Sequence, residues 1–294
     1  MHTASFQVGE LALLVGPLGK PKERYIQVLA EAGRFTTRFG YIEHASVVGQ
    51  ADGTVRATNR EVPYAVFKPT YLDYVMSAKR NVQIIYPKDT AAVLMWGDVS
   101  PGLCILEAGV GLGALSIALL RALAGMGELV SYEAREDFAK KAQHFIGRFF
   151  GETPLNHRIV LGDIYDGFEG VYDRIFLDVP EPWRVVPHTK IGLRGGGILL
   201  AYIPTVLQVK TYVDALKDAG GYLEIETFEL IRRPWRVEGL SVRPEIWMFS
   251  HSAFLVVARR VLKGSMPDPS DLGLDLGLEK DESDEPLPDF KESF

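Results

Sequence analysis

The stretch LCILEAGVGLGALSIALL, residues 103–120, constrains this chain more than any other. An aliphatic run ends in Glu107, glycines follow at alternate positions (Gly109, Gly111, Gly113), and an apolar pattern of helical period begins at once. Glycines suit such a turn. A strand has to bend sharply into a helix while its backbone comes within contact distance of a ligand, and side chains would obstruct both. The stretch predicts the first strand and helix of an α/β sheet, with a nucleotide-type ligand cradled between them. The loop alone does not choose between a dinucleotide and S-adenosylmethionine (SAM), because both folds place it after their first strand.

Strand and helix signals alternate downstream: strands at 103–108, 128–133, 158–161, 174–178 and 196–203, and helices at 113–124, 135–149 and 205–218. That alternation predicts a doubly wound, mostly parallel sheet. Two later strands, in YLEIETFELI and AFLVVARRVL, would bring it to seven, the second placed for an antiparallel insertion near the edge. Upstream, residues 1–66 alternate apolar and polar positions around turn signals such as PLGKPKE and ADGT, which predicts a small β domain. Residues 67–100 read as a connector with a short helix in TYLDYVMSA and another from Asp89 to Met95, and 101–263 as the α/β domain.

The formal charge of −6 would argue against a polyanionic partner if it were spread evenly. It is not. Residues 264–294 hold ten acids and two lysines, so residues 1–263 carry +2 and a nucleic-acid partner remains open. The Pro, Gly, Ser and acid content of 264–294 predicts a disordered acidic tail. No apolar run approaches the roughly 20 residues of a membrane span and the first residues resemble no signal peptide, so a cytoplasmic location is the expectation. The single cysteine, Cys104, lies in an apolar strand and reads as a buried thiol. His44, His144, His157 and His188 form no ligand spacing, and no metal is expected.

Three acids follow three successive strands. Glu133 ends the second strand about twenty residues after the last glycine, where a carboxylate can accept both ribose hydroxyls of a nucleoside. Asp163 follows the third, where it faces an adenine amine or caps the next helix. Asp178 follows the fourth in FLDVPEPW, at the carboxyl end of the sheet where ligands of open α/β folds bind.

With QIIYPKD (83–89), ILEAGVGLGAL, SYEAR, AYIPTVLQV (201–209) and VRPEIWMFSHSAFLVVARR (242–260), the phrase FLDVPEPW makes the chain resemble the tRNA (adenine-N1) methyltransferases that act on adenine 58 of the T loop. The resemblance runs from about Phe6 to Leu262. It implies a class I SAM-dependent enzyme with a seven-stranded Rossmann-like sheet and a small N-terminal β domain, assembling as a homotetramer that binds tRNA. By the same resemblance Asp178 is catalytic and Tyr86 lies beside the target base. Gln83, Glu107, Gly109, Gly111, Glu133 and Asp163 would line the cofactor, with Val110, Leu112, Gly113 and Asp178 completing the set.

N1 of adenine must attack the sulfonium methyl in line, which requires the base to be extruded from the T loop. Tyr86 would offer the flipped base an aromatic face, and Asp178 would accept a hydrogen bond from its N6 amine. Arg232, Arg233, Arg236 and Arg243, set among tryptophans, read either as a phosphate-contacting loop or as a solvated basic face. Lys88 either meets phosphate or pairs with Asp89. His251 either touches substrate or fixes a loop.

The chain departs from the family in its glycine loop, where Val110 and Leu112 stand in place of the usual Thr or Ala and Ser, which predicts weaker SAM binding. A non-catalytic or divergent RNA-binding paralogue, another class I methyltransferase and a nicotinamide-dependent oxidoreductase are the rival readings.

Overall fold

The glycine loop opens a seven-stranded sheet, and what precedes it is antiparallel. The computed structural model describes residues 5–19, 23–78, 84–248 and 250–262, so the expected tail over 264–294 lies outside them. Strands β1 (Leu11–Gly16), β2 (Glu23–Val28), β3 (Arg34–Thr37), β4 (Gly40–Glu43), β5 (Thr54–Ala57) and β6 (Pro63–Phe67) give one four-stranded sheet, ordered β2-β1-β6-β5, and one β3-β4 hairpin. Phe6, Leu14, Phe35, Ile42 and Tyr64 close a core of their own between them.

Two helices lead out of this region. α1 (Tyr71–Met76) begins in a capping box, in which Thr70 and Asp73 satisfy each other's backbone N–H groups. α2 (Pro87–Trp96) starts two residues earlier than its apolar pattern indicates, because Pro87 occupies the first helical turn, where its missing N–H is no loss.

The remaining elements are β7 (Cys104–Ala108), α3 (Ala114–Leu123), β8 (Glu128–Glu133), α4 (Glu136–Phe150), β9 (His157–Leu161), β10 (Tyr172–Leu177), α5 (Val186–Gly192), β11 (Leu193–Ile203), α6 (Val206–Ala219), β12 (Tyr222–Phe228), β13 (Trp235–Glu238), β14 (Ser241–Pro244) and β15 (Phe254–Arg260). The large sheet runs β12-β15-β11-β10-β7-β8-β9. Its five central and right-hand strands are parallel, while β15 pairs antiparallel with both β11 and β12 and so lies one strand in from the edge.

Side chains on a strand alternate between faces, and β7 shows what this does. Ile105 joins the core formed with α1, α2 and α3, whereas Leu106 and Ala108 join the opposite core with α5 and α6. Glu107 therefore shares the face of Ile105, under α3. Leu11 and Ile26 of the N-terminal sheet pack against the same first core, which ties the two regions together. α4 is amphipathic and firmly ended: acids fill its first turn, Glu136–Lys140 and Asp137–Lys141 pair at helical spacing, and Gly151 stops it at φ 84°.

Two expectations change. Cys104, expected to be buried, is only half-buried because it stands at the first position of β7, at the rim of the sheet. The basic segment around Arg236, expected as a loop or solvated face, forms the β13-β14 hairpin, which leaves Trp235, Val237, Leu240 and Val242 exposed, with Trp247 exposed just beyond it. No helix among the described residues is long and apolar enough to cross a membrane.

Candidate active site

All three loop glycines have positive φ: 86° at Gly109, 54° at Gly111 and 87° at Gly113. At Gly109 the need is steric as well, since a Cβ there would lie 2.0 Å from the backbone oxygen of Asp178. At Gly113 it would lie 2.8 Å from Ile146 of α4, so the helix that follows could not approach as closely. The loop is locked to its neighbours by backbone bonds. Gly109 N–H donates to Tyr132 O at 3.1 Å, and Asp178 N–H donates to Ala108 O at 2.8 Å.

A cavity of about 440 Å³ opens at the carboxyl ends of these strands, lined by Gly109, Gly111, Glu133, Asp163 and Asp178. Five of the residues expected to meet the cofactor thus converge from four separate segments. Glu133 accepts from Gly111 N–H at 3.2 Å through Oε2 and from Arg135 N–H at 3.1 Å through Oε1. A carboxylate has about four acceptor sites, so two remain for ligand hydroxyls. Asp163 does what a cap does, with Oδ1 accepting from Tyr165 N–H at 2.9 Å, while Oδ2 has no hydrogen-bond partner among the described residues. Ile164, Tyr165, Val179 and Pro180 complete an apolar wall that the sequence did not single out. Apolar walls, paired acids and a backbone approach free of Cβ atoms fit a nucleoside carrying an amino-acid arm.

The other expected cofactor contacts lie elsewhere. Val110 is 4 % exposed and packs in the first core, so its side chain fills protein and does not face the cavity. Leu112 faces a separate cleft beside Phe138 and Phe145. Gly113 serves helix packing, and Glu107 is buried beneath the loop. Gln83 lies outside the described residues.

Asp178 stands open to the cavity at its floor. The mass of protein around it nonetheless raises its carboxyl to about 7 by desolvation. Filling the cavity would remove the remaining water, so the charged form would then need a hydrogen-bond donor on the ligand.

Beside it the Tyr-Pro-Lys-Asp box meets the closing motif. Lys88 Nζ lies 2.6 Å from Asp89 Oδ1 and 2.6 Å from Ser252 Oγ, and Ser252 Oγ donates to Asp89 Oδ2 at 2.7 Å. Asp89 is completely buried and the Lys88 side chain is 13 % exposed. Lys88 is therefore paired inside the protein and not held out to phosphate. Removing one partner of such a pair strands the other charge, so Asp89→Ala should cost about 3 to 5 kcal/mol of stability, measured by urea unfolding. Tyr202 stands in the same group: burial first, then Asp89, lifts its hydroxyl well above the usual phenol range, a bond with Ser252 opposes this, and Asp178 and Tyr86 add to the rise. Neither Tyr202 nor Ser252 was singled out as a site residue from sequence, and only proximity in space reveals them.

His251 fixes a loop. Its Nδ1 lies 2.7 Å from Glu229 Oε2 and its Nε2 lies 2.9 Å from Pro204 O. Both partners are acceptors, so protonation of the ring, which makes donors of both nitrogens, is favoured. The Glu229 carboxylate accordingly raises its pKa, with the Pro204 carbonyl adding to the effect. Of the four arginines, Arg236 pairs with Glu238, Arg243 reaches the Pro244 carbonyl at 3.5 Å, Arg233 is exposed, and Arg232 lines the separate cleft with Arg24, Lys141 and Arg148. None lines the cavity.

The chain is similar to known proteins. Residues 64–252 match the family model described as the tRNA methyltransferase complex GCD14 subunit, and residues 5–55 match a TrmI-like N-terminal region. The chain is 32 % identical over 238 residues to the tRNA (adenine(58)-N(1))-methyltransferase TrmI of Thermus thermophilus, covering 80 % of this chain and 92 % of that protein. Among solved structures, a SAM-dependent O-methyltransferase from Thermotoga maritima superimposes with a TM-score of 0.82 at 30 % identity, over 88 % of this chain and 96 % of that one. The tRNA (m1A58) methyltransferase TrmI of Aquifex aeolicus gives 0.74 at 26 % identity, over 88 % and 100 %.

Proposed function

This chain belongs to the GCD14 family of tRNA methyltransferase subunits, and we propose that it methylates N1 of adenine 58 in the T loop of tRNA with SAM as donor. The observation that carries this is the convergence of Gly109, Gly111, Glu133, Asp163 and Asp178 on one cavity beside the Tyr86 segment. SAM supplies a methyl group already activated on a sulfonium. Gly109 and Gly111 would admit its amino-acid arm against backbone, Glu133 would take the ribose hydroxyls, and Asp163 the adenine amine.

The substrate base has to leave its stack before N1 can reach the cavity. Tyr86, at the N-cap of α2, gives the extruded adenine an aromatic face, a contact of about 1 to 3 kcal/mol in single-strand recognition. The Asp178 carboxylate accepts from the N6 amine, directs electron density toward N1 and stabilises the cation that methylation creates. Tyr202, near enough to feel both Asp178 and Tyr86, and the Lys88–Asp89–Ser252 group would help keep those two side chains in register. Holding base and methyl in line accounts for much of the acceleration, for which about 7 to 11 kcal/mol is available in such arrangements.

The test is incubation of the purified protein with unmodified tRNA and methyl-labelled SAM, then nuclease digestion and mass spectrometry. N1-methyladenosine at T-loop position 58 is expected, and the same spectra report neighbouring adenines. The name of the Thermotoga structure favours a second reading, O-methylation of a small molecule. Label transferred to a small hydroxyl compound, with none on tRNA, would establish that reading instead. Tight tRNA binding without SAM binding would mark a non-catalytic relative.

The assembly proposed is a homotetramer. Its support is the β13-β14 hairpin, whose Leu240 is fully exposed and whose neighbour Trp247 is 88 % exposed, an apolar surface of the kind subunit contacts cover. Light scattering should give four chains for the wild type and a smaller species for Leu240→Asp combined with Trp247→Asp.

A further inference from the structure

Beneath the glycine loop runs a line of hydrogen bonds that the reaction above leaves unused. Glu107 of β7 lies directly across from Ser131 of β8 and is 1 % exposed. Its Oε2 accepts from Ser131 Oγ at 2.8 Å and from Ser116 Oγ of α3 at 2.6 Å. Ser131 Oγ lies 3.0 Å from Nε2 of His157, on the edge strand β9. Both serines are fully buried. Glu107 Oε1 is buried too, with no hydrogen-bond partner among the described residues, so the two hydroxyls on Oε2 are what orient the carboxyl.

The donors can be counted. Ser131 has one hydroxyl hydrogen and gives it to Glu107, so in the remaining contact Nε2 of His157 carries the hydrogen and Ser131 accepts. Burial lowers the His157 pKa to about 4, which keeps the ring neutral near pH 7 and in this one tautomer. The chain His157 to Ser131 to Glu107, met from the other side by Ser116, ties β9, β8, β7 and α3 together two residues before Gly109. The groups acting on Glu107 are His157 through Ser131, Glu133 at the end of β8, Asp178 after β10, and Tyr71 of α1. Burial raises Glu107 to about 7, the two serine donors oppose that rise, and Asp178 and Glu133 add to it.

We propose that Ser131 and His157 are positioning residues for the cofactor loop, acting through Glu107. The histidine orients the serine hydroxyl, the serine fixes the carboxylate, and the carboxylate sets the height at which Gly109 and Gly111 meet the cofactor. The inference rests on the reading that this loop holds SAM.

Two measurements test it. In the cofactor-free protein, carbon-13 NMR of labelled glutamate carboxyls should place the Glu107 midpoint higher in Ser131→Ala by about half a pH unit or more, because the charged form has lost a donor. His157→Phe should move it the same way, and His157→Gln, whose amide can donate to Ser131, should move it back. In calorimetry, Ser131→Ala should weaken SAM binding about 3- to 10-fold at pH 7, with kcat at saturating SAM unchanged. A cationic ligand prefers the carboxylate, so wild-type affinity should rise with pH through about 7, and the serine variant should shift that rise to higher pH. Asp178 contributes a limb of its own, which Ser131→Ala leaves in place.

A Glu107 midpoint unmoved in both Ser131→Ala and His157→Phe overturns the proposal. So does a moved midpoint with unchanged SAM affinity. A wild type that fails to bind SAM at all defeats the function proposed above, and this positioning role with it.

Discussion

Gly109→Ala is expected to eliminate measurable methyl transfer while the protein stays folded. Alanine would have to hold φ near 86°, and its Cβ would sit 2.0 Å from the Asp178 carbonyl oxygen. The left-handed conformation alone costs an L-residue roughly 1 to 2 kcal/mol, which a domain this size tolerates. The clash is worse than the strain, because its neighbour is backbone and cannot rotate away. Relief requires the loop to move off β10 or the Asp178 segment to move outward, and a displacement near 1 Å costs about 100-fold in a reacting geometry. Calorimetry with SAM and the methylation assay should both fall by at least that factor, with circular dichroism unchanged. An alanine variant with wild-type kcat would show that the loop and the Asp178 strand end need no such contact.

Asp178→Asn should lower kcat by about 100- to 1000-fold, the loss seen when one preorganised partner of a developing charge is removed. Asparagine is nearly isosteric and can still accept through its carbonyl oxygen, so SAM affinity and folding should change little. On the proposed mechanism, what disappears is the negative charge that would face the new purinium cation. The pH profile supplies a second check. On that role, a carboxyl raised to about 7 leaves wild-type Asp178 protonated and ineffective on the acid side, so kcat/KM for tRNA should climb as pH rises through about 7 and then level. The asparagine variant should lack that climb. A variant that is slow but retains the limb would assign the titration to another group.

Much of this molecule was legible from periodicity and glycine. α3 and α4 announce themselves because each apolar stripe meets a single core and each end carries a stop, as Gly151 does for α4, whereas β7 and β8 do so as apolar runs buried on both faces. The site was legible to the extent that acids at strand ends mark a carboxyl edge: Glu133, Asp163 and Asp178 do line one cavity. What stayed hidden depends on partners far away in sequence. Lys88 looks like a phosphate ligand until Ser252, 164 residues later, is found against it. Val110 looks like a cofactor contact because it sits between two glycines, yet the turn rotates its side chain into the core. The β13-β14 hairpin escaped because its exposed apolar residues obey no buried face, and periodicity reads only faces that bury.

The place of β15 also fixes when the site can exist. This strand is the last of the sheet to be synthesised, yet it lies between β11 and β12, and Ser252 just ahead of it completes the Lys88–Asp89 group. A chain emerging N-terminus first can close its antiparallel sheet and pair β7 with β8 early, since those contacts are local or nearly so. It cannot anchor the Tyr86 segment until residue 252 has been made. A nascent chain that stops short of residue 252 therefore holds the glycine loop before the Tyr86 segment is anchored, and the assembled site arrives only once that residue has been made.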